Sequence, residues 1–153
     1  GSIPTGIRLT DGSLRMYYSP LQGGVKSAVS RDDGKTWAEE EGYRLVAAAD
    51  PSVTILPDGR VGLFYVDLST GKKGQKLMVA PSDDGLVFTP DESGTLIETD
   101  QKGVWILDPD IHPSGDGMWI LLYSVMGSAG EAGITVPTVM QSVIDPDCLA
   151  SRI

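Results

Sequence analysis

Short apolar segments separated by glycine-containing turns run the length of this chain. The clearest pair is 52–56 (Ser-Val-Thr-Ile-Leu) and 60–66 (Arg-Val-Gly-Leu-Phe-Tyr-Val), joined by Pro57-Asp58-Gly59. Two β-rich segments around an Asp-Gly turn predict a β-hairpin. The same pattern predicts hairpins from 6–9 with 13–18 and from 110–112 with 118–124. A third strand is predicted in each copy, at 25–30, 76–80 and 136–144. A short fourth follows in the first two, near 43–46 and 95–98.

These hairpins belong to an internal repeat. With Asp11, Asp58 and Asp116 as anchors, a proline stands seven residues before each (Pro4, Pro51, Pro109). The residues before those prolines are Ile3, Asp50 and Asp108. An apolar strand follows each turn and ends in Tyr18, Tyr65 or Tyr123. The anchors are 47 and 58 residues apart, a period found in propellers and solenoids. Antiparallel four-stranded units with no helix between them predict an all-β chain of β-propeller blades, about three of them. Their approximate limits are 1–48, 49–104 and 105–153.

Composition agrees with this reading and excludes several function classes. Nineteen glycines and ten prolines favour many tight turns over a helix bundle. Lys+Arg 12 against Asp+Glu 21 gives a net charge of −9, which speaks against a nucleic-acid partner. One cysteine, Cys148, excludes an internal disulfide framework and a cysteine-rich zinc site. One histidine, His112, excludes a multi-histidine metal site within the chain and makes a histidine-based triad a poor expectation. No metal or other cofactor is expected. No apolar run approaches 18 residues, so no membrane span or membrane partner is expected. No signal-peptide pattern is visible, which leaves the compartment open, a secreted or periplasmic location included. The acidic run Glu39-Glu40-Glu41 is expected to be a solvated loop.

The sharpest motif is Ser30-Arg31-Asp32-Asp33-Gly34-Lys35-Thr36-Trp37, between the third and fourth predicted strands. In the second copy, Pro81 to Phe88 aligns with it on Gly85 and sets Asp83 beside Asp32. In the third, Val143 to Ala150 keeps only Asp145. A carboxylate here can accept backbone N–H groups, and the glycine permits a positive φ. Asp32 and Asp83 are therefore expected to be turn staples and not catalysts. The first copy matches the Ser-x-Asp-x-Gly-x-Thr-Trp pattern at every defined position. On this motif the chain resembles the Asp-box, or BNR-repeat, propellers of sialidases and their relatives.

On its inner strands the chain is more similar to the five-bladed glycosidases acting on arabinosides, xylosides and fructosides. The matching residues are Asp50-Pro51-Ser52-Val53 with Asp58-Gly59, and Asp108-Pro109-Asp110-Ile111 with Asp116-Gly117. The resemblance implies a carbohydrate-active propeller with a carbohydrate substrate or ligand. It also implies that an Asp near the axis serves as general base or as a carboxylate that orients substrate and tunes a neighbour. Independently, Asp50 and Asp108 hold one repeat position in adjacent blades, so they are expected near each other at the axis. Glycoside hydrolysis needs two carboxyl groups, about 5–5.5 Å apart for retention or about 6.5–9.5 Å for inversion. Asp50 and Asp108 are thus the candidate catalytic residues. Asp110, two residues along a strand and so on the side of Asp108, is a candidate substrate-binding residue with His112 and Trp105. A plain strand-turn role for the two Asp-Pro pairs, and core packing for Trp105 and Trp119, compete with these assignments.

Both resemblances are incomplete. Ser2-Ile3-Pro4 stands where sialidases carry Arg-Ile-Pro, and no arginine holds a clear inner repeat position. No glutamate stands at the Asp50-equivalent position of any copy, leaving Glu131 in a glycine-rich loop as a weak candidate acid. A non-catalytic propeller binding a glycan or protein is the alternative function. Three blades also do not close a ring, since propellers use four to eight. Either the sequence is a segment of a longer five- or six-bladed protein, which the lack of a last outer strand favours, or two chains complete one ring as a homodimer.

Overall fold

The structure, a computed structural model, describes residues 2–69, 75–101, 103–129, 134–135 and 138–153. They form three four-stranded antiparallel sheets. The first contains β1 (Ser2–Arg8), β2 (Leu14–Ser19), β3 (Lys26–Ser30) and β4 (Ala38–Glu39), in that order. The second contains β5 (Ala48–Ile55), β6 (Val61–Asp67), β7 (Gln75–Ser82) and β8 (Thr95–Thr99), again in chain order. In the third, β10 (Trp119–Ala129) pairs with β9 (Val104–Pro113), β12 (Thr138–Ile144) and the short β11 (Ile134–Thr135). One helix, α1 (Pro146–Arg152), follows.

The three inner hairpins close in one way. Leu9, Leu56 and Ser114 each donate their N–H to the carbonyl four residues on, and the turn glycine donates back. Gly12, Gly59 and Gly117 sit at φ 85, 90 and 84°, a left-handed conformation that glycine adopts without a Cβ clash. The turn carboxylates accept the N–H two residues on: Ser13, Arg60 and Met118 donate to Asp11, Asp58 and Asp116. All three carboxyls lie below their ordinary value, held there first by side-chain bonds from Ser13, Arg60 and Ser114 and further by these N–H groups.

The sheets pack face to face around two apolar layers. Between the first and second lie Tyr17, Val53, Val61, Leu63, Tyr65 and Phe88. Between the second and third lie Leu56, Phe64, Leu77, Val79, Trp119 and Leu121. Strand β6 is buried on both faces, which explains its unbroken apolar sequence from Val61 to Val66. Tyr17 meets Phe88 edge-on at 5.8 Å, and Phe64 meets Trp119 edge-on at 6.4 Å. Tyr17 and Phe64 are repeat-equivalent, and both are 0% exposed.

Polar staples also join the first two sheets. Arg15 pairs with Glu40 through Nε and Nη2 at 2.9 and 3.0 Å, and its Nη1 donates to the carbonyl of Asp84 at 2.6 Å. Tyr17 donates to the carbonyl of Gly85 and Arg44 to that of Leu86. Three consecutive carbonyls of one turn are thus held by the neighbouring sheet. Burial pushes the Tyr17 hydroxyl up to about 12, so it remains a donor.

Three sequence expectations are corrected. The fourth strand of the first sheet is Ala38–Glu39, whereas 43–46 contributes only the isolated bridge between Val25 and Leu45. The second staple is Asp84 and not Asp83. Ser82 donates to Asp84, which accepts the N–H groups of Leu86 and Val87. The first turn does the same with Ser30, Asp32 and Thr36. The Ser-x-Asp spacing is kept while the glycine has moved one residue closer, so alignment on the glycine selects the wrong carboxylate. Finally, Asp145 caps α1, accepting from the N–H groups of Asp147 and Cys148. Residues 136–137 of the predicted third strand lie outside the described residues.

Two predictions follow from the staples. Arg15→Ala leaves Glu40 and the Asp84 carbonyl without their partner in a largely buried setting. The expected loss, about 3–5 kcal/mol in denaturant unfolding, is that of breaking a buried pair; a loss under about 1 kcal/mol contradicts the assignment. Asp32, held down to about 2 chiefly by the Thr36 hydroxyl and N–H and by Ser30, stabilises the fold when ionised. Its contribution is complete above the unfolded value near 3.8 and disappears as pH falls through about 2. In Asp32→Asn, acid unfolding measured by circular dichroism should show a shallower dependence on pH across that interval.

Candidate functional site

The inner strand of each sheet carries the same irregularity. Its register shifts between Ser2 and Thr5 in β1, between Ala49 and Ser52 in β5, and between Leu107 and Asp110 in β9. The two residues skipped are always the X-Pro pair: Ile3-Pro4, Asp50-Pro51 and Asp108-Pro109. Each pair bulges opposite one tyrosine, Tyr18, Tyr65 or Tyr123. Proline has no N–H for the ladder and disfavours a right-handed helical residue before it. Here that residue turns left-handed, with φ 52° at Ile3, Asp50 and Asp108 alike. Such a backbone costs of order 1–3 kcal/mol in a non-glycine residue, less for Asp than for a β-branched side chain.

The bulges bring Asp50 and Asp108 together. The Asp108 N–H donates to Asp50 Oδ2 at 3.4 Å, and the Asp50 N–H donates to Ser19 Oγ at 3.2 Å. Asp50 is half-buried and Asp108 exposed. Burial raises the Asp50 carboxyl above its ordinary value; the Asp108 N–H opposes this, and the nearby Asp108 charge adds to it. Among the described residues, neither carboxylate forms an ion pair with a Lys or Arg. Asp50 Oδ1 makes no hydrogen bond to a described residue. The pair can therefore offer one carboxylate of raised basicity beside a second negative charge.

One residue past the first two prolines, a second inter-sheet contact recurs. Thr5 Oγ1 accepts the Val53 N–H at 3.3 Å, and Ser52 Oγ accepts the Ile111 N–H at 3.2 Å. Gln75 Oε1, also buried, accepts the Ile106 N–H at 2.6 Å. Sequence reasoning missed these acceptors, although Thr5, Ser52 and Asp110 share one repeat position and all carry a side-chain oxygen.

The remaining candidates lie along β9. Asp110 pairs with His112, Oδ2 to Nε2 at 2.7 Å, both on the surface. Their cross-strand partners are Leu122 and Ile120, while Trp105 pairs with Met126. Cross-strand partners share a face, so Trp105, Asp110 and His112 stand on the face of the third sheet that points away from the second. The bulge at Asp108-Pro109 interrupts the alternation from which Asp110 is expected beside Asp108. Trp119, by contrast, is buried against Phe64. Glu131 lies outside the described residues. Among the described residues no group of three or more His, Cys, Asp or Glu is arranged to hold a metal ion. Nor is any helix of the described residues long and apolar enough to cross a membrane.

No protein-family model and no curated protein matches this sequence. Solved structures do. An α-L-arabinanase of Penicillium chrysogenum complexed with arabinobiose superposes with a TM-score of 0.65 at 17% identity, over 93% of this chain and 45% of its own. An α-L-arabinofuranosidase of Fusarium graminearum, in complex with an iminosugar inhibitor, gives 0.66 at 18% identity, over 94% and 45%. An endo-1,4-β-xylanase of Bacteroides thetaiotaomicron gives 0.64 at 16%, over 93% and 49%. The chain thus spans about half the length of these enzymes. With its three bulged, face-packed sheets, it has the fold of β-propeller blades.

Proposed function

We propose that this chain forms part of a carbohydrate-active propeller of the glycoside hydrolase type. The observation that carries the reading is the pairing of Asp50 and Asp108 on equivalent left-handed bulges, joined by the Asp108 N–H. The fold shared with an arabinanase, an arabinofuranosidase and a xylanase supports pentose glycosides as the substrate class. Asp50 is the general base or orienting carboxylate. Ionised, it takes a proton from water as that water attacks the anomeric carbon. Asp108 tunes Asp50 through its charge and fixes one of its oxygens through its N–H. The acid that protonates the leaving oxygen comes from another group. Asp110, His112 and Trp105 are assigned to the glycan: a hydrogen-bonded carboxylate–imidazole pair and an indole face suit hydroxyls and a sugar ring respectively. The Ser30–Trp37 turn, in which Asp32 is bonded to Ser30 and Thr36, supports relation to Asp-box repeats in a structural role.

A second reading is glycan binding without hydrolysis. The bond from the Asp108 backbone to Asp50 favours it, because it gives one carboxylate oxygen a structural task.

Aryl α-L-arabinofuranosides and aryl β-xylosides test the first reading. Asp50→Asn should lower kcat/KM by about 10²–10⁴-fold, the usual contribution of a positioned base; a variant as active as the parent removes Asp50 from the mechanism. A parent that turns over neither glycoside but binds the corresponding oligosaccharides calorimetrically selects the second reading. Activity should also fall as pH drops through the raised Asp50 value, above 3.8. Asp108→Asn removes a like charge and keeps the N–H, so the acidic limb should move to lower pH. An unmoved limb separates Asp108 from Asp50.

A further inference from the structure

The bulges at Asp50 and Asp108 each turn a backbone N–H away from its own sheet, and that donor needs a partner on the neighbouring one. At the second interface the partner is the preceding bulge itself: Asp108 donates to Asp50 Oδ2 at 3.4 Å. At the first interface the equivalent acceptor would stand on Ile3, whose side chain has none. The N–H of Asp50 goes instead to Ser19 Oγ at 3.2 Å. Ser19 ends β2, pairs with Ser2 beside the first bulge and is 7% exposed. Its repeat equivalent in the second sheet is Val66, which is completely buried and offers no side-chain acceptor. The two positions therefore complement each other. Ile3 is accompanied by the hydroxyl of Ser19, and Asp50 by the apolar Val66, so each interface carries one side-chain acceptor for the N–H that crosses it.

Asp50 is consequently held at two points: Ser19 receives its N–H, and the Asp108 N–H binds its carboxylate. A non-glycine residue stays left-handed only where its surroundings over-determine it, and a residue before proline otherwise prefers extended backbone. Without the Ser19 acceptor, the Asp50 N–H is left unpaired in a half-buried position. Relaxation of Asp50 toward extended backbone then becomes accessible, and it draws the carboxylate off the Asp108 N–H. The Ser19 hydroxyl is also neutral, so it fixes Asp50 without adding a second like charge to that of Asp108.

We infer that Ser19 is the positioning residue of this site: through the Asp50 N–H it holds the Asp50 carboxylate in its working orientation. The inference rests on the reading of Asp50 as base or orienting carboxylate. Because Ser19 acts through Asp50, its loss should slow turnover and leave the glycan contacts of other residues in place.

Amide hydrogen exchange read by NMR, with steady-state kinetics on aryl α-L-arabinofuranosides and aryl β-xylosides, tests the inference. In Ser19→Ala the Asp50 amide should exchange about three- to tenfold faster, the loss of one net hydrogen bond. The Val53 and Ile111 amides, bonded to Thr5 and Ser52, should keep their rates. In an active parent, kcat should fall about 10–10²-fold with KM unchanged, the scale of a small misplacement of a reacting group. Adding Ile3→Asp to Ser19→Ala supplies a carboxylate at the position that Asp50 holds in the second blade, and should restore protection of the Asp50 amide. Four results overturn the inference. One is an Asp50 amide that exchanges no faster in Ser19→Ala. Another is equal acceleration at Val53 and Ile111, which makes Ser19 a general packing residue. The third is a double variant no better protected than Ser19→Ala, because the missing acceptor is then not the cause. The last is an active Ser19→Ala variant that keeps its kcat although its Asp50 amide is freed. A parent that turns over neither glycoside, but whose Asp50 amide is freed selectively by Ser19→Ala and protected again by Ile3→Asp, leaves Ser19 its task and removes hydrolysis instead.

Discussion

The N–H that Pro4, Pro51 and Pro109 lack shapes the inner end of every blade. A regular antiparallel edge strand needs a donor at alternate positions, toward its single neighbour. Proline cannot supply one, so the X-Pro pair leaves the ladder and two residues oppose a single tyrosine. The residue ahead of the proline sits at positive φ, and its N–H turns out of the sheet. In the second and third blades that residue is aspartate, which tolerates this conformation better than most and brings a carboxylate with it. The site is therefore a by-product of how the strand accommodates proline. Ile3 shows that the geometry exists without the carboxylate: its φ is the same, and its side chain carries no charge or hydrogen-bonding group.

Packing between blades depends on that same bulge. The X-Pro strands are sheet edges, so their outward N–H groups are available to a neighbouring blade. Displacing two residues frees Asp50 and Asp108 to donate across the interface, to Ser19 and to Asp50 itself. These bonds are long, and each contributes little beside the apolar layers of Tyr17 and Phe64. They fix register: a neighbouring blade shifted by one residue would lose the hydroxyl acceptors Thr5 and Ser52 together. The Arg15–Glu40 pair gives similar definition at the outer side. A largely buried ion pair adds less net stability than apolar packing of the same volume, but it is costly to break and therefore selective.

Much of this was legible in the sequence because the decisive signals are local. Asp-Gly turns set the hairpins, and the X-Pro position marked Asp50 and Asp108 as equivalent. What was not legible depended on spacing within turns or on distant partners. Asp84 replaces Asp83 because one residue is missing between Asp and Gly in the second turn. Helix α1 had a readable start, Asp145 ahead of Pro146, which is an N-cap followed by proline in the first turn. What holds its far end was not readable. Arg60, 90 residues away, donates to the carbonyls of Ala150 and Ile153, and Leu149 is buried in the layer between the second and third sheets. The left-handed backbone at Asp50 was also hidden, since a residue before proline is normally extended.

The two carboxylates differ for a reason outside either residue. Asp50 is half-buried because a third blade stands against it, and that burial is the main cause of its raised value. Asp108 holds the same position in the last of the described sheets, and it is exposed. The basicity of Asp50 is thus set by the neighbouring blade as much as by its own sequence. The asymmetry runs one way, toward Asp50, the carboxylate that the third sheet shields from water.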